Sequence, residues 1–285
     1  MNKVAVVTDS SAHIPPELTD GLPIFTIPLH VIWDDVSMLD DIEIKPEQFY
    51  QRLQNSPTTP RTSQTTPQEF LQFYQDLLEK GYDILSIHIS SRVTSVLESA
   101  TIARKRLKST RIEIVDSMSG AMAMGFQVVS VARAAAAGTA LRDCRLLAER
   151  ARSFTHTYFI PGTLEFLRRG GRIGGAAAFL GSVLRINPIL ETRNGVIAAV
   201  ERVRTMGRAL DRVVELVNQR VGSTIPVRLA AMHSNLPEVA MDLLSRLQAK
   251  FNPAQVCEAV ITGISPALGT HIGPGAVGIA YMAGM

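Results

Sequence analysis

Short β-branched runs alternate with amphipathic helical stretches through the first half of the chain. Lys3–Val7, Ile84–Ile89 and Ile112–Val115 read as strands, each closed by polar residues. Thr66-Pro67-Gln68-Glu69 combines a capping threonine, proline at the first helical position and glutamate three residues after the cap, which predicts a helix to about Lys80. Ser95-Val96-Leu97-Glu98 has the same capping-box spacing and opens a helix with apolar positions at Leu97, Ala100, Ala103 and Leu107. Alternation of this kind implies a parallel sheet with helices on its faces. The three strands end in Asp9-Ser10, Ser90-Ser91 and Asp116-Ser117. A parallel sheet gathers these ends at one edge, where ligands of open α/β sheets bind. The loops around Thr62-Ser63 and Thr94-Ser95 are both expected at helix N-termini, whose free N–H groups suit an anion.

After Gly138 the pattern changes. A helix from about Leu141 to Arg152, a strand near His156–Ile160 and a short helix ending at Gly170-Gly171 are predicted. Next comes a hairpin of Asn187–Thr192 and Val196–Val203, turning at Asn194-Gly195. Helix Met206–Arg220, strand Pro226–Met232, helix Pro237–Lys250, strand Gln255–Ile261 and a last strand near Val277–Met282 follow. The expected fold class is α/β: an N-terminal parallel-sheet α/β domain over residues 1–138 and a C-terminal α+β domain over residues 139–285.

With 46% hydrophobic residues in 285, the chain can fill a substantial core. A net charge of +3 with scattered Lys and Arg gives no basic stripe, which argues against a nucleic-acid partner. Thr8-Asp9-Ser10 interrupts the first apolar run too early for a signal peptide. Ala121–Ala137 is the most membrane-like stretch, but Gln127 and Arg133 break it and it is shorter than the roughly 20 residues of a span. It reads as a buried helix. Cys144 and Cys257 lack a partner motif, as expected of reduced thiols in the cytoplasm.

Four polar stretches carry the candidate chemistry: Thr62-Ser63-Gln64, Ser90 to Ser95, Gly170-Gly171-Arg172-Ile173 and His271-Ile272-Gly273-Pro274-Gly275. Hydroxyls, glycines, arginine and histidine offer donors and close backbone approach to a small anionic head group without a metal cage. No metal and no cofactor is expected. Asp9 and Asp116 are read as organisers of strand-end loops through bonds to backbone N–H groups. Gly273 to Gly278 matches a dinucleotide fingerprint literally, yet too few residues follow for the required helix and acidic residue. A serine-type acyl hydrolase is the competing reading, with His271 as base and Asp9 or Asp116 orienting it. The chain has no Gly-x-Ser-x-Gly elbow.

These segments resemble the DegV family, bacterial fatty-acid-binding proteins that include the lipid-carrying subunits of fatty acid kinase. The resemblance runs end to end: Val7-Thr8-Asp9-Ser10, the Thr62-Ser63-Gln64 loop, Ser90-Ser91 with Ser99-Ala100, Asp116-Ser117, Leu164 to Ile173, Asn187-Pro188-Ile189-Leu190, and His271 to Gly278. It implies one long-chain fatty acid, such as palmitate or an unsaturated acid of similar length, at the interface of the two domains with its tail within the C-terminal one. Thr62, Ser63, Thr94 and Ser95 are then carboxylate contacts with Arg172 and His271 beside them. Asp9, Ser10, Ser91, Asp116, Ser117, Gly171, Gly273 and Gly275 support the loops. The resemblance also implies a separate ATP-dependent kinase subunit that phosphorylates the carboxylate, the carrier itself not being an enzyme. Membrane contact is expected to be transient, without insertion. Two places depart from the family: Thr94-Ser95-Val96-Leu97 where a Ser-Gly-Thr-Tyr run is common, and Met38-Leu39-Asp40 where a tyrosine often precedes the aspartate. Expected tail walls are an apolar helix over 176–184, with Phe179, Leu180 and Val183, together with Phe159, Phe166, Ile173 and Ile189.

Overall fold

A computed structural model describes residues 2–63, 65–180 and 186–285. In chain order the first strands and helices are β1 (Val4–Asp9), α1 (Pro16–Thr19), β2 (Ile24–Ile27), β3 (His30–Trp33), β4 (Val36–Leu39), α2 (Pro46–Asn55) and β5 (Arg61–Ser63). They continue with α3 (Pro67–Glu79), β6 (Asp83–His88), α4 (Val96–Leu107), β7 (Ile112–Asp116), α5 (Ala121–Ala136) and α6 (Leu141–Ala151). The rest are β8 (Thr155–Ile160), α7 (Glu165–Arg169), β9 (Asn187–Arg193), β10 (Val196–Val203), α8 (Met206–Val221), β11 (Val227–His233), α9 (Pro237–Gln248), β12 (Val256–Gly263), α10 (Pro266–Ile272) and β13 (Val277–Ala283).

The first sheet is parallel, in the order β2-β1-β6-β7. β1 is buried along its whole length, as a central strand covered on both faces must be, and its run of valines follows from that. α3 and α4 cover one face, and α5 and α6 the other. The Thr66–Glu69 capping box forms, with Glu69 Oε2 accepting from Thr66 N at 2.7 Å. The second sheet is mixed, in the order β10-β9-β8-β13-β11-β12, with α8 and α9 on its outer face. α5 packs against β1 on one side and against β13, β8 and β11 on the other. A helix sandwiched between two sheets is apolar all round, which accounts for its membrane-like composition. No helix of the described residues is long and apolar enough to cross a membrane.

Three expectations are corrected. α6 packs on β6 and β7, with Cys144 and Ala148 in the first core, so the division placed after Gly138 cuts through the first layer. Ser95 stands at the start of α4 but its side chain does not cap the helix, and the box with Glu98 is not formed. Of the apolar helix expected over 176–184, the residues up to Phe179 belong to a 3₁₀ stretch, Gly174–Phe179, and residues 181–184, Val183 among them, lie outside the described residues.

A third sheet, β4-β3-β5, antiparallel and small, has no counterpart in the sequence reading. Its hairpin turns through Asp34 and Asp35, both with positive φ (51° and 61°). Trp33 packs edge-on against Phe49 of α2, at 5.4 Å between centroids, and fixes the sheet to the first core. Tyr50 of α2 donates its hydroxyl to Ile264 O at 3.1 Å, tying this layer to the segment that leads into α10.

Candidate functional site

A cavity of about 480 Å³ opens between the two large sheets, within the size range of small-molecule sites. Its first wall comes from the loops that follow β6 and β7, at the carboxyl ends of the parallel strands. The opposite wall comes from β8, β9, β11 and β13, and α10 closes one side. Thr62, Ser63, Thr94, Ser95, Arg172 and His271, separated by up to 209 residues of sequence, all line this one cavity. Gln64 lies outside the described residues.

Thr62 and Ser63 are not in a helix-leading loop. They close β5, where Thr62 pairs with Val31 and Ser63 with His30 of β3. A strand holds the two hydroxyls more firmly than a loop and directs successive side chains to opposite faces. Thr62 Oγ1 stands 2.8 Å from Nε2 of His271 at the C-terminal end of α10. Burial, then the neighbouring Arg172 charge, push the His271 pKa down to about 4, so the ring is neutral near pH 7. Its Nδ1 is buried against Gly170 with no partner among the described residues. Which atom donates in this contact depends on the ring tautomer: with the proton on Nε2 the ring donates to Thr62 Oγ1 and the threonine proton is free to donate into the cavity.

Arg172 bridges the two sheets at the cavity mouth. Nε donates to Val93 O at 3.0 Å and Nη1 to Gly170 O at 2.6 Å. Arg92 makes a second crossing, Nη1 to Asn194 O at 3.0 Å, at the tip of the β9–β10 hairpin. Gly195 (φ 78°) allows this approach, since a Cβ there would collide with Ser90 Oγ. A more open outer cleft of about 790 Å³ shares Thr94, Ser95 and Arg172 with the cavity and continues along Glu98, Thr101 and Lys105 of α4. Its lining is mixed, and more polar than that of the inner cavity.

The strand-end residues support these loops from behind. Asp116 accepts from Ser91 Oγ at 2.6 Å and from Met118 N at 2.8 Å, and Ser117 Oγ donates to Ser119 O at 3.1 Å. Asp9 is fully buried. It accepts from Ser11, from Ile89 N at 3.0 Å and sits 3.0 Å from Nδ1 of His88. Burial alone would raise its carboxyl, but His88, Ser11 and the Ile89 N–H together hold it below the ordinary value. The other ring nitrogen of His88 meets Ser86 Oγ at 2.7 Å, and Tyr74 donates to the same oxygen at 2.7 Å. Serine, histidine and aspartate thus stand in triad order, but all three are buried and no substrate reaches Ser86. The hydrolase reading needs Asp9 or Asp116 beside His271; Asp9 is bonded to His88 and Asp116 to Ser91.

Ser10 donates to Asp40 Oδ2 at 2.5 Å, and Asp40 Oδ1 accepts from Ala267 N at 2.9 Å in the first turn of α10. Asp40 therefore anchors one end of the helix whose other end delivers His271 to Thr62. Burial raises its carboxyl to about 6 against the lowering effect of these donors.

Of the expected tail walls among the described residues, only Phe159 lines the cavity. Ile173 and Phe179 pack behind it with Leu167 and Leu190, while Ile189 is buried on the helix-covered face of the second sheet. Phe166 lies under Gly273 (φ 79°), where a Cβ would strike its ring, and Leu180 is 43% exposed. Gly273 and Gly275, whose N–H donates to Ser234 O at 2.9 Å, shape the turn from α10 into β13. Gly171 (φ 69°) lines only the outer cleft. The apolar lining is instead Leu167, Val196, Ile197, Met232, Ile264 and Leu268, with Ala267 and Ile272. Among the described residues no cluster of three or more His, Cys, Asp or Glu is placed to hold a metal ion.

Two α/β layers enclose a cavity whose lining joins hydroxyls, Arg172 and His271 to a larger apolar part. The family model described as "Uncharacterised protein, DegV family" matches residues 3–284, and the chain belongs to that family. It is 32% identical to protein DegV of Bacillus subtilis over 280 residues, covering 98% of each chain. The solved structure of DegV from Bacillus subtilis, a fatty acid binding protein, is 33% identical with a TM-score of 0.89 over 99% of this chain and 100% of that one. A DegV family protein from Thermus thermophilus, described for its fatty acid binding, superposes with a TM-score of 0.92 at 28% identity, with 99% of each chain covered.

Proposed function

We propose that this chain carries one long-chain fatty acid, its carboxylate at Thr62, Ser63, Thr94 and Ser95 and its tail along the apolar lining between the sheets. The observation that carries this reading is the convergence of these four hydroxyl residues, with Arg172 and His271, on a cavity whose remaining lining is mostly apolar. The structural relatives described as fatty acid binding proteins support it. A sixteen-carbon tail buried at about 0.8 kcal/mol per methylene offers on the order of 10 kcal/mol before the costs of immobilisation. Affinity comes mainly from the tail, and the hydroxyls remove the penalty of desolvating the carboxylate.

The second half of the proposal is presentation to a partner. An ATP-dependent kinase subunit brings ATP to the mouth; a carboxylate oxygen attacks the γ-phosphorus, ADP leaves, and an acyl phosphate forms while the lipid stays on the carrier. Arg172 and the outer cleft face that approach, and a guanidinium suits the charge of a transferring phosphoryl group.

Denaturing extraction of freshly purified protein, followed by mass spectrometry of the organic phase, tests the carrier reading. About one fatty acid per chain, depleted in a Thr62→Ala/Thr94→Ala double variant, is the expected result. No lipid in either sample and no uptake of supplied fatty acid would remove it.

A further inference from the structure

Away from the mouth, the cavity wall holds a second polar place. Thr157 of β8 forms part of the wall, is only 7% exposed, and its Oγ1 has no hydrogen-bond partner among the described residues. Thr192 follows Glu191 of β9, the residue paired with Tyr158, so the two threonines lie side by side, and both line the cavity. Two residues earlier on the same face of β8, Thr155 accepts from Nε2 of Gln127 at 2.8 Å. The Oε1 of Gln127 is a further buried atom without a partner among the described residues. A polar seam therefore runs along a strand whose neighbours in the wall are Phe159, Met232 and Gly278.

Folded proteins pair nearly all their buried hydroxyls, and leaving one open costs more than replacing it by an apolar group of the same shape. Valine has the shape of threonine without that cost. A wall that met only methylenes would gain by carrying valine at 157. The staggered wells about χ1 exchange Oγ1 with the methyl group, so the hydroxyl turns to the lumen without movement of β8.

We propose that the inner part of the cavity takes an acyl chain bearing an in-chain oxygen, a hydroxyl or keto group, which hydrogen-bonds to Thr157. This deepens the carrier reading and rests on it: the carboxylate stays at the mouth, and the tail is an oxygenated one.

The test is displacement of a fluorescent fatty acid by stearate and by a series of octadecanoic acids carrying one hydroxyl at successive carbons, with wild-type protein, Thr157→Val and Thr157→Ser. Wild type is expected to bind one positional isomer about tenfold more tightly than stearate, the scale of one buried hydrogen bond made rather than left open. Thr157→Val should invert the preference by gaining affinity for stearate and losing it for that isomer, and Thr157→Ser should restore it. Equal affinity of wild type for stearate and every isomer, or a preference that persists in Thr157→Val, overturns the proposal while leaving the carrier intact. Absence of binding by any acid overturns both.

Discussion

Thr62 and His271, on β5 and at the end of α10, meet at 2.8 Å across two layers of the molecule. The contact fixes the orientation of the threonine hydroxyl, and in the tautomer with the proton on Nε2 it leaves that hydroxyl as a donor to the cavity. His271→Phe keeps a ring in place and removes the N–H. Fatty-acid affinity is expected to fall about tenfold in titration calorimetry, the worth of one oriented hydrogen bond.

The same pair sets a pH dependence. His271 has an ordinary value of 6.5 unfolded and about 4 folded, so between these limits the unfolded chain binds more protons. Its contribution to stability is complete above about pH 6.5 and is lost as the pH falls toward 4. In thermal unfolding, the difference in Tm between wild type and His271→Gln should therefore change across that window and be flat above it.

Asp40 has the opposite sign. Its carboxyl rises from 3.8 to about 6 on folding, so the folded chain holds the extra proton, and stability from this group is lost as pH rises from about 4 to 6. Ionising it in place costs on the order of 3 kcal/mol. Asp40→Asn should recover stability relative to wild type at pH 7 and lose that advantage near pH 4, measured by denaturant midpoint. A constant difference at all pH values would show that Asp40 does not titrate in this range.

Asp9→Asn removes a buried carboxylate that accepts from Ser11 and Ile89 N and stands 3.0 Å from Nδ1 of His88. A destabilisation of about 1.5–3 kcal/mol is expected from chemical unfolding. Esterase activity toward activated acyl esters should be absent before and after the change, since Ser86 is enclosed.

Arg172→Lys tests the mouth. Lysine cannot make the two directed bonds that Arg172 makes to Val93 O and Gly170 O. Phosphorylation of bound fatty acid by a kinase subunit is expected to fall at least tenfold in kcat/KM, while the amount of lipid extracted per chain changes less.

Much of the cavity's polar lining is legible because its residues are chemically conspicuous: hydroxyls and glycines interrupting apolar runs, several of them at strand ends that a parallel sheet must bring together. The supports were less visible. β3 and β4 turn through Asp34-Asp35, a weaker hairpin signal than Asn194-Gly195, so the small sheet holding Thr62 leaves little trace in the sequence pattern. α10 did carry a signal, Ser265 capping it from the position before Pro266, with Ser265 Oγ accepting from Leu268 N. The tail walls were illegible for a physical reason. Leu167 lines the cavity and Phe166 packs away from it, and periodicity says which side chains leave water, not which of them border a void.

The two arginine crossings at the mouth have a kinetic meaning. Arg92 on Asn194 O and Arg172 on Val93 O both join the loop after β6 to elements of the other wall, so a molecule inside is enclosed by bonds it does not itself make. Under the carrier function proposed above, the residence time of the lipid is expected to follow how often those two carbonyls are released together, a quantity separable from its affinity.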